Sequence, residues 1–393
     1  MKTLLISLLI LSFFLPVFSH SKAAHVDAAD DAANLDADRL KFLFWTDKQR
    51  TAGFRNIDKI FPTRPVKASS YTLGLKETPI DFSDLRYQVA NKQFSLSDYT
   101  DETDLVGLLV IKDGNIVHEQ YLAGNDEDSI WVSFSMAKSV TSMLIGAAIK
   151  DGYIKNVDEK VSRYLPRLAG SSYDDISIRN VLQMASGVAW DETYDDPDSD
   201  VNTLPRDYLG LARTLGAKPR VAVAGDKFNY NTGETNLVGA ILRAAIGNNL
   251  STYLEAKIWQ PFGMESDANW MLDAPFGGEM GGCCLSITLR DYGRLGLFAM
   301  SGGRLADGTS PLPEGWMTAS TQASKGANYY GYLWWLGQQG TYSALGIFGQ
   351  SIYIDPANNL VVVALANYDT AVGDSLSEHR GAFNAAMSAH FGP

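Results

Sequence analysis

Ser135-Met136-Ala137-Lys138 puts a hydroxyl three residues ahead of an amine. On a helix those positions share a face, so the serine can act as a nucleophile with the lysine as its base. Ser19 and Lys22 repeat the spacing, and placement has to separate the two pairs. From Ser135 onward Met136, Val140, Met143, Leu144, Ala147 and Ala148 recur at three- and four-residue steps. That period predicts a helix over Ser135–Lys150, which Asp151-Gly152 would end. Ser135 then lies in the first turn, where free N–H groups and the helix dipole favour developing negative charge. The segment also permits a plain serine cap followed by a solvent-facing lysine.

A serine hydrolase more often draws its proton with an imidazole. The five histidines are His20, His25, His118, His379 and His390, and none sits in a recognisable catalytic context. A G-x-S-x-G elbow is also lacking. Lysine must then be the base, which requires its pKa to fall from about 10.4 through burial or a nearby positive charge. Tyr230, in Phe228-Asn229-Tyr230-Asn231-Thr232-Gly233, precedes a predicted helix and could share protons with Lys138 as a coupled pair. Read alone, it is equally a packed aromatic with a satisfied hydroxyl.

These residues need a scaffold, and 393 residues with 46% apolar content can supply one. Leu105–Ile111 and Ile116–Tyr121 are apolar runs around Lys112-Asp113-Gly114-Asn115, a hairpin signal directly ahead of the Ser135 helix. Ser351–Ile354 and Leu360–Ala366 form a second hairpin before a helix-like tail through Phe383, Met387 and Phe391. Strands from both ends with helical sequence between them predict an α/β domain of residues 105–164 and 286–393. A mostly helical inserted domain would span 165–285, and a cleft between the two is the expected site. Residues 24–104 read as an N-terminal extension and lead-in.

The first 23 residues read as a signal peptide: Lys2, an apolar stretch from Leu4 to Phe18, then small residues. The expectation is export to the periplasm or outside the cell, with no stable membrane anchor after cleavage. A net charge of −12 argues against nucleic-acid binding. Cys283 and Cys284 are the two cysteines. Neighbours bridge only with difficulty, so two buried thiols are expected, and no multi-thiolate metal site can form.

Several of these segments, in order and spacing, resemble the class C β-lactamase and penicillin-binding-protein-like serine hydrolases. They are Ser135 to Lys138, Tyr230-Asn231-Thr232, Gly281 to Arg294, and Leu345-Gly346-Ile347-Phe348-Gly349-Gln350. Within that group the chain is most similar to the 6-aminohexanoate-dimer (nylon oligomer) hydrolases, over about Leu105 to Phe391. The resemblance implies a β-lactamase/transpeptidase-like fold, an antiparallel sheet flanked by helices. It makes Ser135 the acylated nucleophile, Lys138 its base and Tyr230 the proton relay. The oxyanion would be held by the backbone N–H groups of Ser135 and Ile347. Tyr194 matches a substrate-contacting tyrosine of that group, and Gly346 is a further substrate-binding candidate; read from the residues themselves, Trp190 and Gly331 to Leu336 either line an apolar acyl pocket or pack the core. No metal or cofactor is implied.

The departures bear on substrate. The triplet that carries a lysine in β-lactamases and DD-peptidases reads Ala344-Leu345-Gly346, so the ammonium that would pair with a substrate carboxylate is missing. Thr232 replaces the asparagine of the Y-x-N element, and Pro205 stands where nylon oligomer hydrolases carry an acidic residue. The reading is an exported serine hydrolase of small esters or linear amides acting through an acyl-enzyme. The alternatives are a β-lactamase or DD-carboxypeptidase, an acyltransferase, and a non-catalytic binding protein of the same fold.

Overall fold

The computed structural model describes residues 39–392; the signal-peptide reading of the first 23 residues lies outside them. In chain order the strands are β1 Thr63–Val66, β2 Lys76–Glu77, β3 Tyr87–Val89, β4 Lys92–Phe94, β5 Leu105–Lys112, β6 Asn115–Tyr121, β7 Ile130–Val132, β8 Ala268–Met271, β9 Leu285–Thr288, β10 Trp335–Leu336, β11 Tyr342–Gly346, β12 Gln350–Asp355 and β13 Leu360–Ala366. The helices that matter most here are α1 Asp47–Phe54, α2 Met136–Lys150, α3 Thr232–Ile246, α4 Leu289–Met300 and α5 Asp374–Phe391.

The main sheet has the order β10-β11-β12-β13-β5-β6-β2. Its centre is the pair of predicted hairpins laid side by side, with Val110 opposite Val362 and His118 opposite Val110. Asp113 and Gly114 both take positive φ, as the tight turn between β5 and β6 requires. Both faces of β5 and β13 are covered, so these strands read as continuous apolar runs instead of alternating ones. Leu109, Ile111, Val361, Val363 and Leu365 face the core that contains α2 and α4. Leu108, Val110, Leu360, Val362 and Ala364 face Phe383 and Met387 of α5. Glycines let α4 lie close on the sheet: a Cβ at Gly296 would sit 2.6 Å from Val361.

The structure adds three features to the predicted outline. The sheet is not purely antiparallel, because β2 joins its edge parallel to β6. The stretch before residue 105 is more than a lead-in, since it supplies β1, β2 and α1 to the folded body. The largely helical stretch up to residue 285 also carries β8 and the first residue of β9, which join β1 and β7 in a four-stranded sheet ordered β1-β8-β9-β7. At four residues each, β8 and β9 are too short for apolar periodicity to reveal them.

That second sheet leads into Ser135. β7 pairs with β9 and runs into Ser133, whose N–H donates to Leu285 O at 2.7 Å. Ser133 Oγ in turn accepts from Leu285 N at 3.0 Å. Phe134 then takes φ +44°, a rare value for a bulky side chain, and α2 begins one residue after Ser135. α2 ends at Lys150, with Gly152 at φ +83°, as its sequence predicts.

Candidate active site

Ser135 is the N-terminal flanking residue of α2, and its backbone N–H has no backbone acceptor among the described residues. Lys138, one turn on, is only 1% exposed, which excludes the solvent-facing alternative. Its Nζ lies 2.8 Å from Ser135 Oγ, 3.0 Å from Thr232 Oγ1 and 2.8 Å from the carbonyl oxygen of Gly282. Burial pulls the amine down to about 8, while the charge of Glu192 pulls the other way. An amine poised there is a usable base near neutrality.

Tyr230 sits two residues before α3, as predicted. Its ring lies 5.1 Å from Lys138 Nζ, and its hydroxyl faces the Ser135 side chain. Burial and the nearby Glu192 charge push the phenol far above its ordinary range. Tyr230 is therefore held as a protonated hydroxyl, suited to donate. Trp335 on β10 stacks on the ring at 5.6 Å. The neighbouring Tyr332, Leu333 and Trp334 are core residues, with Trp334 edge-on to Tyr342. Of the apolar stretch near residue 335, Trp335 is the side chain that flanks the catalytic phenol.

Glu192 is the residue that sequence reasoning missed. Its Oε1 accepts from the Tyr194 hydroxyl at 2.8 Å and from the Thr232 hydroxyl. Its Oε2 accepts from Thr232 N at 3.0 Å and from the Trp190 indole. Trp190 and Tyr194, both expected at the substrate, thus spend their polar atoms on one carboxylate. The Trp190 ring also packs against the first turn of α3, where a Cβ on Gly233 would come within 3.1 Å of it. Nothing in type or spacing marks Glu192 out from the neighbouring Asp191, Asp195, Asp196, Asp198 and Asp200.

Gly282 is the second missed contributor. Its N–H donates to Asn236 of α3 at 3.0 Å, and the Thr141 hydroxyl of α2 donates to Gly281 O at 2.7 Å. Together these bonds hold the loop so that Gly282 O meets the lysine. A Cβ on Gly281 would lie 2.6 Å from Thr235 O, so the close approach to α3 demands glycine. The following Cys283 and Cys284 are buried as expected, but they are joined in a vicinal disulfide and are not free thiols.

The second oxyanion candidate, Ile347, follows Gly346 at the end of β11. Gly346 has a packing role: a Cβ there would stand 2.4 Å from Ser133 O. That contact ties the end of β11 to the residues just before the nucleophile. Phe348 takes φ +59°, and its N–H donates to Ala371 O. Gln350, fully buried, donates through Nε2 to Phe348 O at 2.9 Å and Ala366 O at 2.8 Å. Its Oε1 accepts from Trp131 and from Ala366 N. Behind both candidates Phe54 of α1 packs on Phe134 at 4.9 Å and on Phe348 at 5.3 Å.

Among the described residues no histidine hydrogen-bonds Ser135 or Lys138. His118 lies on β6 beside Phe82, and His379 accepts or donates with the Tyr87 hydroxyl on the α5 side of the sheet. Among the described residues no cluster of three or more metal-ligating side chains occurs. Ala344 is buried and Leu345 is half-buried, and β11 carries no lysine or arginine.

Comparison with known proteins identifies the family and the fold. A 6-aminohexanoate-dimer hydrolase of Paenarthrobacter ureafaciens is 28% identical over 305 residues, covering 71% of this chain and 77% of that protein. A Bacillus anthracis structure provisionally named a 6-aminohexanoate-dimer hydrolase superposes with a TM-score of 0.77 at 21% identity, covering 86% of this chain and 94% of that one. A family VIII carboxylesterase superposes with a TM-score of 0.57 at 15% identity, over 74% of this chain and 95% of that one. The β-lactamase family model matches residues 98–387, a span that holds the serine, the lysine, the tyrosine and both sheets' catalytic ends. The chain belongs to the β-lactamase family.

Proposed function

We propose that the protein is an exported serine hydrolase that cleaves small esters or linear amides through an acyl-enzyme on Ser135. The observation that carries this reading is the buried Lys138 amine, 2.8 Å from Ser135 Oγ and lowered to about 8. In acylation the Ser135 proton passes to Lys138 Nζ as Oγ bonds to the substrate carbonyl carbon. The negative charge moves to the carbonyl oxygen, which the N–H groups of Ser135 and Ile347 would receive. Collapse breaks the bond to the leaving amine or alkoxide, which takes a proton from the Tyr230 hydroxyl. Tyr230 is then reprotonated from the Lys138 ammonium. Water attacks the ester in the second half, and the same groups run in reverse.

Two relatives support the substrate class, since one is named for hydrolysing an amide and another is a carboxylesterase. The missing lysine at Ala344-Leu345-Gly346 argues against substrates that need a carboxylate anchor, penicillins among them. Export rests on the first 23 residues alone. The test is a fluorophosphonate probe followed by a panel of p-nitrophenyl esters, anilides, aminohexanoate oligomers and nitrocefin. Labelling at Ser135 with turnover of esters or anilides is expected. A wild-type protein that resists every serine-directed probe defeats the proposal, and rapid nitrocefin turnover would move it to a β-lactamase.

A further inference from the structure

We infer that Glu192 and Thr232 are positioning residues that aim the lone pair of Lys138 at Ser135. The placement of the protons carries this inference, which rests on Ser135 and Lys138 being nucleophile and base. The Thr232 hydroxyl has one proton, and the Glu192 carboxylate, which can only accept, takes it. Thr232 Oγ1 therefore meets Lys138 Nζ as an acceptor. The Gly282 carbonyl oxygen is an acceptor by nature. A neutral amine has two N–H bonds and one lone pair. With both N–H bonds claimed by Thr232 and Gly282, the lone pair points along the remaining contact, the 2.8 Å line to Ser135 Oγ.

The same three contacts serve after the proton has moved. The ammonium then has three N–H bonds and three acceptors, the third being the serine oxygen itself. No side chain has to turn during the transfer, which is what preorganisation means here. Without the Glu192 carboxylate the Thr232 hydroxyl could rotate and donate to the amine, capturing the lone pair meant for the serine. Backbone geometry supports the assignment, since the Thr232 N–H is held by the other oxygen of Glu192, which fixes the residue at both ends.

The titratable groups around the amine are Glu192 from the loop after Trp190, the Tyr230 phenol ahead of α3, and the Tyr194 phenol on Glu192. Among these the Glu192 carboxylate favours the ammonium. Its removal should therefore move the acid limb of the acylation profile to lower pH while lowering the plateau. General damage to the fold lowers a plateau but gives no reason for that opposite shift.

The experiment measures the second-order rate of fluorophosphonate labelling and of ester acylation from pH 5 to 10 in the full chain. Thr232→Val removes the hydroxyl and little else. It should acylate about a hundredfold more slowly at the plateau with KM nearly unchanged. Thr232→Ser, which restores the oxygen, should recover to within about threefold of wild type. Glu192→Gln should show the paired change, a lower plateau with its limb moved down. The Thr232 pair decides the matter if Glu192→Gln does not fold. Thr232→Val at the wild-type rate, Thr232→Ser as slow as Thr232→Val, or a folded Glu192→Gln with an unmoved limb overturns this inference and leaves Ser135 and Lys138 standing. A wild-type protein unlabelled at Ser135 overturns both.

Discussion

The two sides of Ser135 are built from opposite materials. In front, Lys138, Thr232 and Glu192 form a hydrogen-bonded chain of polar groups beside the Tyr230 phenol. Behind, Phe134, Phe348, Phe54 and Trp131 form a packed aromatic block, with the Gln350 amide bonded to the Trp131 indole and to Phe348 O. A polar network is directional and fails when one proton is misplaced. An aromatic block is non-directional and fails when volume is lost. The front therefore governs reactivity, and the rear governs where the nucleophile and the Ile347 N–H sit. Variants on the two sides should part company in rate and stability.

Ser135→Ala tests the front most severely. Turnover should fall by about 10⁴-fold or more while the melting temperature stays within a few degrees, because one hydroxyl leaves and no cavity forms. Residual turnover close to wild type would remove Ser135 from the chemistry. Wild-type acylation should also rise with pH and level off above about 8, as Lys138 loses its extra proton. A flat profile from pH 6 to 9 would mean that the lysine is not the base.

Phe54→Ala tests the rear. Phe54 is fully buried and touches Trp45, Trp131, Phe134 and Phe348. Its loss should destabilise the protein by about 3–5 kcal/mol, read as a lower denaturation midpoint. The pH midpoint of acylation should not move, since nothing facing Lys138 has changed. A shifted midpoint would show that the two sides are not separable.

Gln350 is where they meet, and Gln350→Leu should sharpen the division. The variant removes the amide that donates to Phe348 O and Ala366 O, leaves Phe348 O with the Tyr368 N–H alone, and loosens the turn that follows Ile347. A loss of about 10²–10³ in kcat is expected if Ile347 donates to the oxyanion, with a smaller change in KM. A kcat within a few-fold of wild type would take Ile347 out of that role.

The same division explains what could be read in the amino-acid sequence. The hairpins around Gly114 and Asn358, the Met136–Lys150 helix and the tail through Phe383 announce themselves through periodicity and turn chemistry, which are local. Ser135, Lys138 and Tyr230 stand in motifs whose spacing is local too, and the structure brings all three together. Glu192 carries no such mark, because it acts through contacts with Thr232, 40 residues on. Gly282 contributes a backbone carbonyl, which residue type cannot disclose. Phe54 and β2 come from a stretch that looked like a tether, and their place depends on pairing across the chain. Short strands such as β8 hide for the same reason.

A second buried glutamate supplies the smallest expected effect and the cleanest contrast with Glu192. Glu234, on the first turn of α3, accepts from the Tyr173 hydroxyl at 2.9 Å. Its other oxygen is buried and faces the Ser186 hydroxyl without closing a hydrogen bond. Burial raises this carboxyl to about 7, with Ser186, Tyr173 and Arg220 only partly offsetting it. Because the folded value lies above the unfolded one, the native state holds the extra proton between about pH 4.5 and 7. Its contribution to stability is complete below that window and is lost as pH rises through it, amounting to at most about 3 kcal/mol. Glu234→Gln keeps an acceptor for Tyr173 and cannot ionise. Its stability should match wild type near pH 4.5 and exceed it by about 1–2 kcal/mol at pH 8, measured by urea unfolding at both. Equal gains at the two pH values would show that packing is responsible, and that Glu234 does not ionise in the folded protein within this range.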